Sequence, residues 1–235
     1  EVVDKAYYIA STGRPGPVVI DLPTNALKEE ISLDNIKPNT QTPGYKPTTK
    51  GNKKQIKKAI EIINDSKKPL ILAGGGVILS NASEELIKFA KLTEIPIATT
   101  LMGKGVISEE DPLSLGMIGM HGIQSTNKAL TECDCLIAIG CRFSDRSVSN
   151  MDKFATNATK IQIDIDPAEI GKTIKIDVPI VGDAKITLNE FIKEVEFPDR
   201  TNWTKELTKI RQNSVENISY DEVPLKPQQT IKELM

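Results

Sequence analysis

Residues 69–76 read Pro-Leu-Ile-Leu-Ala-Gly-Gly-Gly. Five apolar residues without alternation are too few for an ordinary helix and read as a strand, Pro69 to Ala73, buried on both faces. Upstream, Gln55 to Ile63 places Ile56, Ala59, Ile60 and Ile63 at helical spacing. Downstream the alternation repeats: a helix near Ser83 to Leu92, a strand Ile95 to Thr99, a helix near Ile123 to Glu132, strands Cys135 to Ile139, Ile161 to Ile165 and Pro179 to Val181, and a helix from Ala184 to Val195. Strands apolar on both faces and separated by helices predict an α/β fold, a Rossmann-like parallel sheet of five or six strands with helices on both faces.

This block, residues 52–196, lies between stretches of different character. PNTQTPGYKPTTKGNKK (38–54) holds three prolines and two glycines without an apolar pattern and reads as a linker, as do FPDRTNWT (197–204) and DEVPLKPQ (221–228). Before it, Glu1 to Ala10 reads as a helix and Gly16 to Leu22 as a strand, too little to bury a core and so expected to be the end of a preceding domain. From Glu1 in place of Met, and a helix beginning at Thr230 to Met235, the chain is expected to be a piece of a longer polypeptide.

Of the 235 residues, 30 are Lys or Arg and 32 Asp or Glu, a net charge of −2, and 4% are aromatic. Neither a basic field nor a stacking surface for nucleic acid is expected. No run approaches the ~18 apolar residues of a membrane span, and the sequence shows no basic n-region followed by an apolar stretch and a cleavage site. Cys133, Cys135 and Cys141 lack metal-site spacing and fit a reduced, cytoplasmic setting, with Cys135 buried in its strand.

Parallel sheets bind ligands beyond the carboxyl ends of their strands. Gly74-Gly75-Gly76 could let a phosphate approach backbone N–H groups or simply make a tight turn. Thr100 to Gly105 follows the second strand, and His121, the single histidine, sits in Gly119-Met120-His121-Gly122. Gly140 to Arg146 brings Arg142 and Arg146 to the same edge, suited to a pyrophosphate or to a solvated Arg–Asp pair. Asp166-Pro-Ala-Glu169 matches a helix capping box, and Asp183 a helix N-cap. The dehydrogenase fingerprint does not fit, because Glu94, about 20 residues after the glycines, precedes a strand instead of ending one.

In combination, GRPGPVVIDLP (13–23), LAGGG, IPIATTLMGKG, LGMIGMHG, IAIGCRFSDR, IDIDPAEIGK and VGDAK resemble the large catalytic subunit of acetolactate synthase, a thiamine-diphosphate enzyme family. The resemblance implies that residues 1–37 are the tail of a pyrimidine-binding domain, 38–51 a linker, 52–196 the middle FAD-binding domain, and 197–235 a linker into a pyrophosphate-binding domain, Leu225-Lys-Pro-Gln228 resembling the entry of that domain. It implies FAD contacts at Arg14, Gly74, Gly75, Gly76, Thr100, Leu101, Met102, Gly119, Met120, His121, Gly122, Gly140, Cys141, Arg142, Phe143, Ser144, Arg146, Asp164, Ile165, Asp166 and Asp183. Ser144 departs from the pattern, in which two acids follow the Phe.

The activity so implied joins two pyruvates, or pyruvate and 2-oxobutyrate, with loss of carbon dioxide. Its catalytic glutamate and the GDG motif for thiamine diphosphate and Mg²⁺ lie in other domains. The only Gly-Asp here, Gly182-Asp183, is followed by Ala184. The chain alone is therefore expected to be catalytically silent, with a structural flavin and no catalytic or metal-ligating residues of its own. The expected partners are the rest of the polypeptide, a homodimer or tetramer, and a regulatory small subunit. The alternatives are the middle domain of pyruvate oxidase or glyoxylate carboligase, or a ligand-free spacer. A sirtuin-like module would need four zinc-binding cysteines.

Overall fold

The computed structural model describes residues 1–30, 32, 42–148, 150–196, 198–214 and 227–234. Its elements run α1 (Val2–Ser11), α2 (Thr24–Lys28), α3 (Lys53–Asp65), β1 (Pro69–Ala73), α4 (Gly75–Leu79), α5 (Ser83–Thr93), β2 (Ile97–Thr99), β3 (Ser114–Met117), α6 (Gln124–Glu132), β4 (Cys135–Ile139), α7 (Asp145–Val148), β5 (Thr159–Asp164), β6 (Val178–Val181), α8 (Ala184–Glu194), α9 (Thr201–Ser214) and α10 (Pro227–Leu234). The strands form one six-stranded sheet in the order β3-β2-β1-β4-β5-β6, with every neighbouring pair parallel.

The expected α/β architecture is present, with six strands. Ile71 and Ala73 of β1 join a core with Ile56, Ile60 and Ile63 of α3, Leu86 and Phe89 of α5, and Leu188 and Phe191 of α8. Leu70 and Leu72 belong to the opposite cluster, with Leu130 of α6, Phe143 and Phe154. Each of these Ile, Leu and Phe side chains, when fully buried, contributes about 1.5–3 kcal/mol. The four residues that patterned α3 are the four it buries, and Asn52 caps its first turn through Lys54 and Gln55 N–H.

Four readings change. Gly16 to Leu22 is not a strand among the described residues, and Val19 is 91% exposed; without a neighbouring backbone an extended apolar run has nothing to complete a ladder. A strand absent from the pattern, β3, forms the sheet edge, where Gly116 takes φ 83° beside a register shift; its short Ser-Leu-Gly-Met sequence breaks alternation. Asp166 to Glu169 is a turn, not a capping box: Asp166 Oδ1 accepts Ala168 N–H, while Glu169 reaches Arg14 and Lys172. Residues 201–204, polar enough to read as linker, begin α9, and Pro227 and Gln228 of the last linker reading begin α10. Residues 38–41, 197 and 221–226 of the linker readings lie outside the described residues.

α9 closes the amino edge of the sheet. Trp203 Nε1 donates to the Pro69 carbonyl at 2.9 Å, and Lys68 Nζ lies 5.0 Å from the indole centroid. Arg200, 3% exposed, donates to Thr93 O at 2.8 Å and to Ile63 O, carbonyls in the last turns of α5 and α3. These helix ends present partial negative charge, which suits a guanidinium.

The amino-terminal segment is tied down at two points. The Tyr45 hydroxyl donates to Thr12 O at 2.8 Å, and Arg14 Nη1 reaches Asp166 Oδ2 at 3.0 Å and Glu169 Oε1 at 2.8 Å. The Ala168 amide and Arg14 hold the Asp166 carboxyl below its ordinary range. Burial pushes Glu169 upward, but hydrogen bonds from Lys172 and Arg14 outweigh it and lower its pKa. Acids with depressed folded-state pKa values stabilise the fold above their unfolded values of about 4 and lose that contribution as pH falls through the folded values.

Trp203→Ala should therefore cost about 3–5 kcal/mol in chemical denaturation, as for other buried aromatic truncations; a loss under about 1 kcal/mol would show that α9 is not part of the cooperative unit. Arg14→Met should melt below wild type at neutral pH, with the gap closing as pH falls through the depressed folded-state values of Asp166 and Glu169. A gap independent of pH would exclude the ion pairs as its source.

Candidate functional site

The sheet reverses its winding between β1 and β4, and their carboxyl ends diverge there. Gly74 N–H donates to Ile139 O at 2.9 Å and Gly76 N–H to Gly140 O at 3.1 Å. A Cβ on Gly74 would stand 2.1 Å from Gly140 O, and one on Gly76 2.6 Å from Gly140 Cα. These glycines thus let two backbones cross, and the Gly74 and Gly76 amides are already used in the crossing. Above it opens a cleft of about 780 Å³, within the ~300–1,000 Å³ typical of small-molecule sites.

Every strand end contributes to the cleft. Gly75 and Gly76 line it after β1, Thr100, Leu101 and Met102 after β2, and Met120 and His121 after β3. Gly140, Cys141, Arg142, Phe143, Ser144 and Arg146 follow β4, Asp164 and Ile165 follow from β5, Asp183 follows β6, and Arg14 arrives from the amino-terminal segment. Of the remaining residues that the resemblance implied, Gly74 sits at the crossing, Gly119 and Gly122 shape the His121 loop, and Asp166 grips Arg14. None of these four lines the cleft. Leu79, Ser80, Met117, Ile118, Ser147 and Ala184 also line it, without having been singled out in the sequence. The signal for Leu79 was present, a large apolar residue ending the Gly-Gly-Gly-Val-Ile-Leu run; Ser147 had none.

The loop after β4 sorts its side chains by backbone geometry. Phe143 takes φ 52°, a left-handed conformation costing a non-glycine residue about 1–3 kcal/mol. Its ring is buried against Phe154, centroids 5.8 Å apart. Arg142, Ser144 and Arg146 are exposed on the cleft side. Among the described residues neither Arg142 nor Arg146 is ion-paired, unlike Arg14. The Ser144 and Ser147 hydroxyls lie 3.2 Å apart.

The remaining polar groups are fixed in role. Asp164, mostly buried, accepts Asp166 N–H at 2.9 Å, and burial raises its pKa despite that bond. Asp183 caps α8 by accepting Ile186 N–H at 2.9 Å. Burial pushes the Cys141 thiol up to about 12, which keeps it a neutral wall rather than a nucleophile. All three cysteines are buried, Cys135 within β4 as expected. No helix among the described residues is long and apolar enough to cross a membrane.

The chain is similar in sequence to known proteins. A probable acetolactate synthase large subunit of Methanococcus aeolicus is 51% identical over 249 residues, covering 100% of this chain and 42% of the relative. That of Methanocaldococcus jannaschii is 50% identical over 240 residues, covering 100% and 41%. The acetolactate synthase large subunit of Buchnera aphidicola subsp. Schizaphis graminum is 44% identical, covering 99% and 42%. The chain thus spans about two fifths of the length of these relatives. The profile of a family described as thiamine pyrophosphate enzyme, central domain, matches residues 56–191, more than half of the chain and nearly the whole sheet with its helices. By that match the chain belongs to the thiamine pyrophosphate enzyme family, whose central domain it contains.

Proposed function

We propose that the chain holds FAD along the carboxyl edge of its sheet, as the middle domain of an acetolactate synthase large subunit. The observation that carries this reading is one cleft in which two guanidinium groups with no ion pair among the described residues, Arg142 and Arg146, share the walls with the buried Asp164 carboxyl and exposed Leu101, Met102 and Met120. The donor set fits a flavin dinucleotide. Paired guanidinium groups suit phosphate oxygens, a carboxylate at a strand end suits ribose hydroxyls, and the thioether and aliphatic groups suit a flat ring system. Ser144 replaces an acid of the family pattern and leaves the flanking arginines without a competing carboxylate at that position.

In the full-length enzyme, thiamine diphosphate with Mg²⁺ supplies the chemistry that condenses pyruvate with pyruvate or 2-oxobutyrate and releases carbon dioxide, in branched-chain amino-acid biosynthesis. The residues of this chain take no part in that step. They bind and orient the flavin, whose role is structural because the condensation is redox-neutral. We place the protein in the cytoplasm, working as a homodimer or tetramer with a regulatory small subunit, and expect neither nucleic acid nor membrane as a partner.

Flavin fluorescence titration of the purified chain tests the reading. FAD should bind saturably. Removing both arginines (Arg142→Ala with Arg146→Ala) should weaken binding at least tenfold, since a charge-assisted hydrogen bond contributes about 1.5–3 kcal/mol. No saturable binding at high micromolar FAD would favour a ligand-free spacer. Incubated with pyruvate, thiamine diphosphate and Mg²⁺, the same chain should form no acetolactate; product formation would overturn its assignment as a non-catalytic domain.

A further inference from the structure

The loop that carries Met120 and His121 has no packed apolar side chain to fix it. Both residues are exposed, and glycines stand at either end. Besides backbone hydrogen bonds, one side chain from α6 holds it. Asn127 Oδ1 accepts Gly119 N–H at 2.9 Å, and its Nδ2 donates to Gly119 O at 3.0 Å. A carboxamide has one acceptor and one donor side by side, so it pairs with a single residue's N–H and C=O as a neighbouring strand would.

Gly119 is also the point where this loop meets the loop that carries the arginines. Its φ is 106°, and a Cβ there would stand 2.5 Å from Arg146 O and 3.2 Å from Ser147 Cα. The next amide, Met120 N–H, donates to Arg146 O at 3.1 Å, and Gly122 N–H returns to Gly119 O at 2.9 Å. Gly119 is therefore held between the Asn127 carboxamide on one side and the α7 backbone on the other. Whatever fixes Gly119 fixes the separation between the His121 wall and the Arg146 wall of the cleft.

We propose that Asn127, which does not line the cleft, is a positioning residue for its ligand: its carboxamide clamps Gly119 and so sets the loop 119–122 against Arg146. The inference rests on the flavin reading for its ligand and on the hydrogen-bond geometry alone for the clamp. Asn127 is only half-buried and near the surface, so losing it should loosen the loop more than the core.

The test compares wild type, Asn127→Ala and a neighbouring control in the whole chain. Thr126→Val removes the buried hydroxyl that donates to Leu115 O, a bond of the same helix that does not reach the cleft. Asn127→Ala should weaken FAD about tenfold and raise amide hydrogen exchange in residues 117–123, with exchange in 135–139 unchanged. Thr126→Val should lower the melting temperature and leave FAD affinity within twofold of wild type. If Asn127→Ala does not fold, the nearly isosteric Asn127→Asp keeps the bond to Gly119 N–H and loses the one to its carbonyl, with an expected loss of threefold or more. Unchanged FAD affinity in the Asn127 variants, or an equal loss in Thr126→Val, would overturn the proposal. Should wild type itself fail to bind FAD, the flavin reading falls by itself. Exchange in 117–123 then decides the clamp: a rise in the variant supports it and no change overturns it.

Discussion

The crossing of two backbones at Gly74, Gly76 and Gly140 is the constraint on which the site depends. A parallel sheet that winds outward in both directions from its middle must part its loops there, and the parting is the cleft. The strands themselves stay paired up to the crossing, with Ala73 opposite Ile139, so the loops diverge abruptly. Only residues without a Cβ allow it, since any side chain at these positions would meet a carbonyl or an α-carbon well inside contact distance. The glycine run after β1 thus makes room for the site, and its Gly74 and Gly76 N–H groups are engaged with β4 rather than free for an anion.

From that crossing upward, the polar residues divide into two kinds. Some are consumed as staples: Arg14 on Asp166 and Glu169, Asp183 on α8, Asn127 on Gly119. Gln162 is the most buried of these. From within β5 its amide reaches the carbonyls of Cys141 and Glu169 and accepts Gly171 N–H, joining the loop after β4 to the one that grips Arg14. Others, Arg142, Arg146 and Asp164, face the cleft with charge or hydrogen-bonding capacity to spare. A buried amide with all its bonds made rigidifies a loop, whereas an unpaired guanidinium at a cleft wall has affinity left for a ligand.

The opposite edge of the sheet is closed by different means. There α9 sets Trp203 against Pro69, and Arg200 just before it meets two helix ends, an apolar and charged seal. The composition of residues 197–204 gave no sign of it. A seal of this kind needs one indole and one guanidinium in the right place, and two residues do not make a periodic pattern. Arg200 reads as a surface residue in any sequence window, because the carbonyls it satisfies lie more than a hundred positions away.

By itself the sequence determined the alternation of buried strands and amphipathic helices, the parallel sheet and the loops that reach its ligand edge. Those follow from local apolar spacing, which the chain carries in runs of five to ten residues. It also marked most of the cleft, because glycine, arginine and acid at strand ends are local features. The family pattern extended that list to Arg14, whose segment precedes the sheet. Only the tertiary structure decided that Gly16 to Leu22 pairs with no strand among the described residues and that Ser114–Met117 does pair, since pairing needs a neighbour that spacing cannot supply. It alone divided the polar residues between staples and cleft, because hydrogen-bond partners such as Asn127 and Gly119, or Arg14 and Glu169, are chosen by proximity in space.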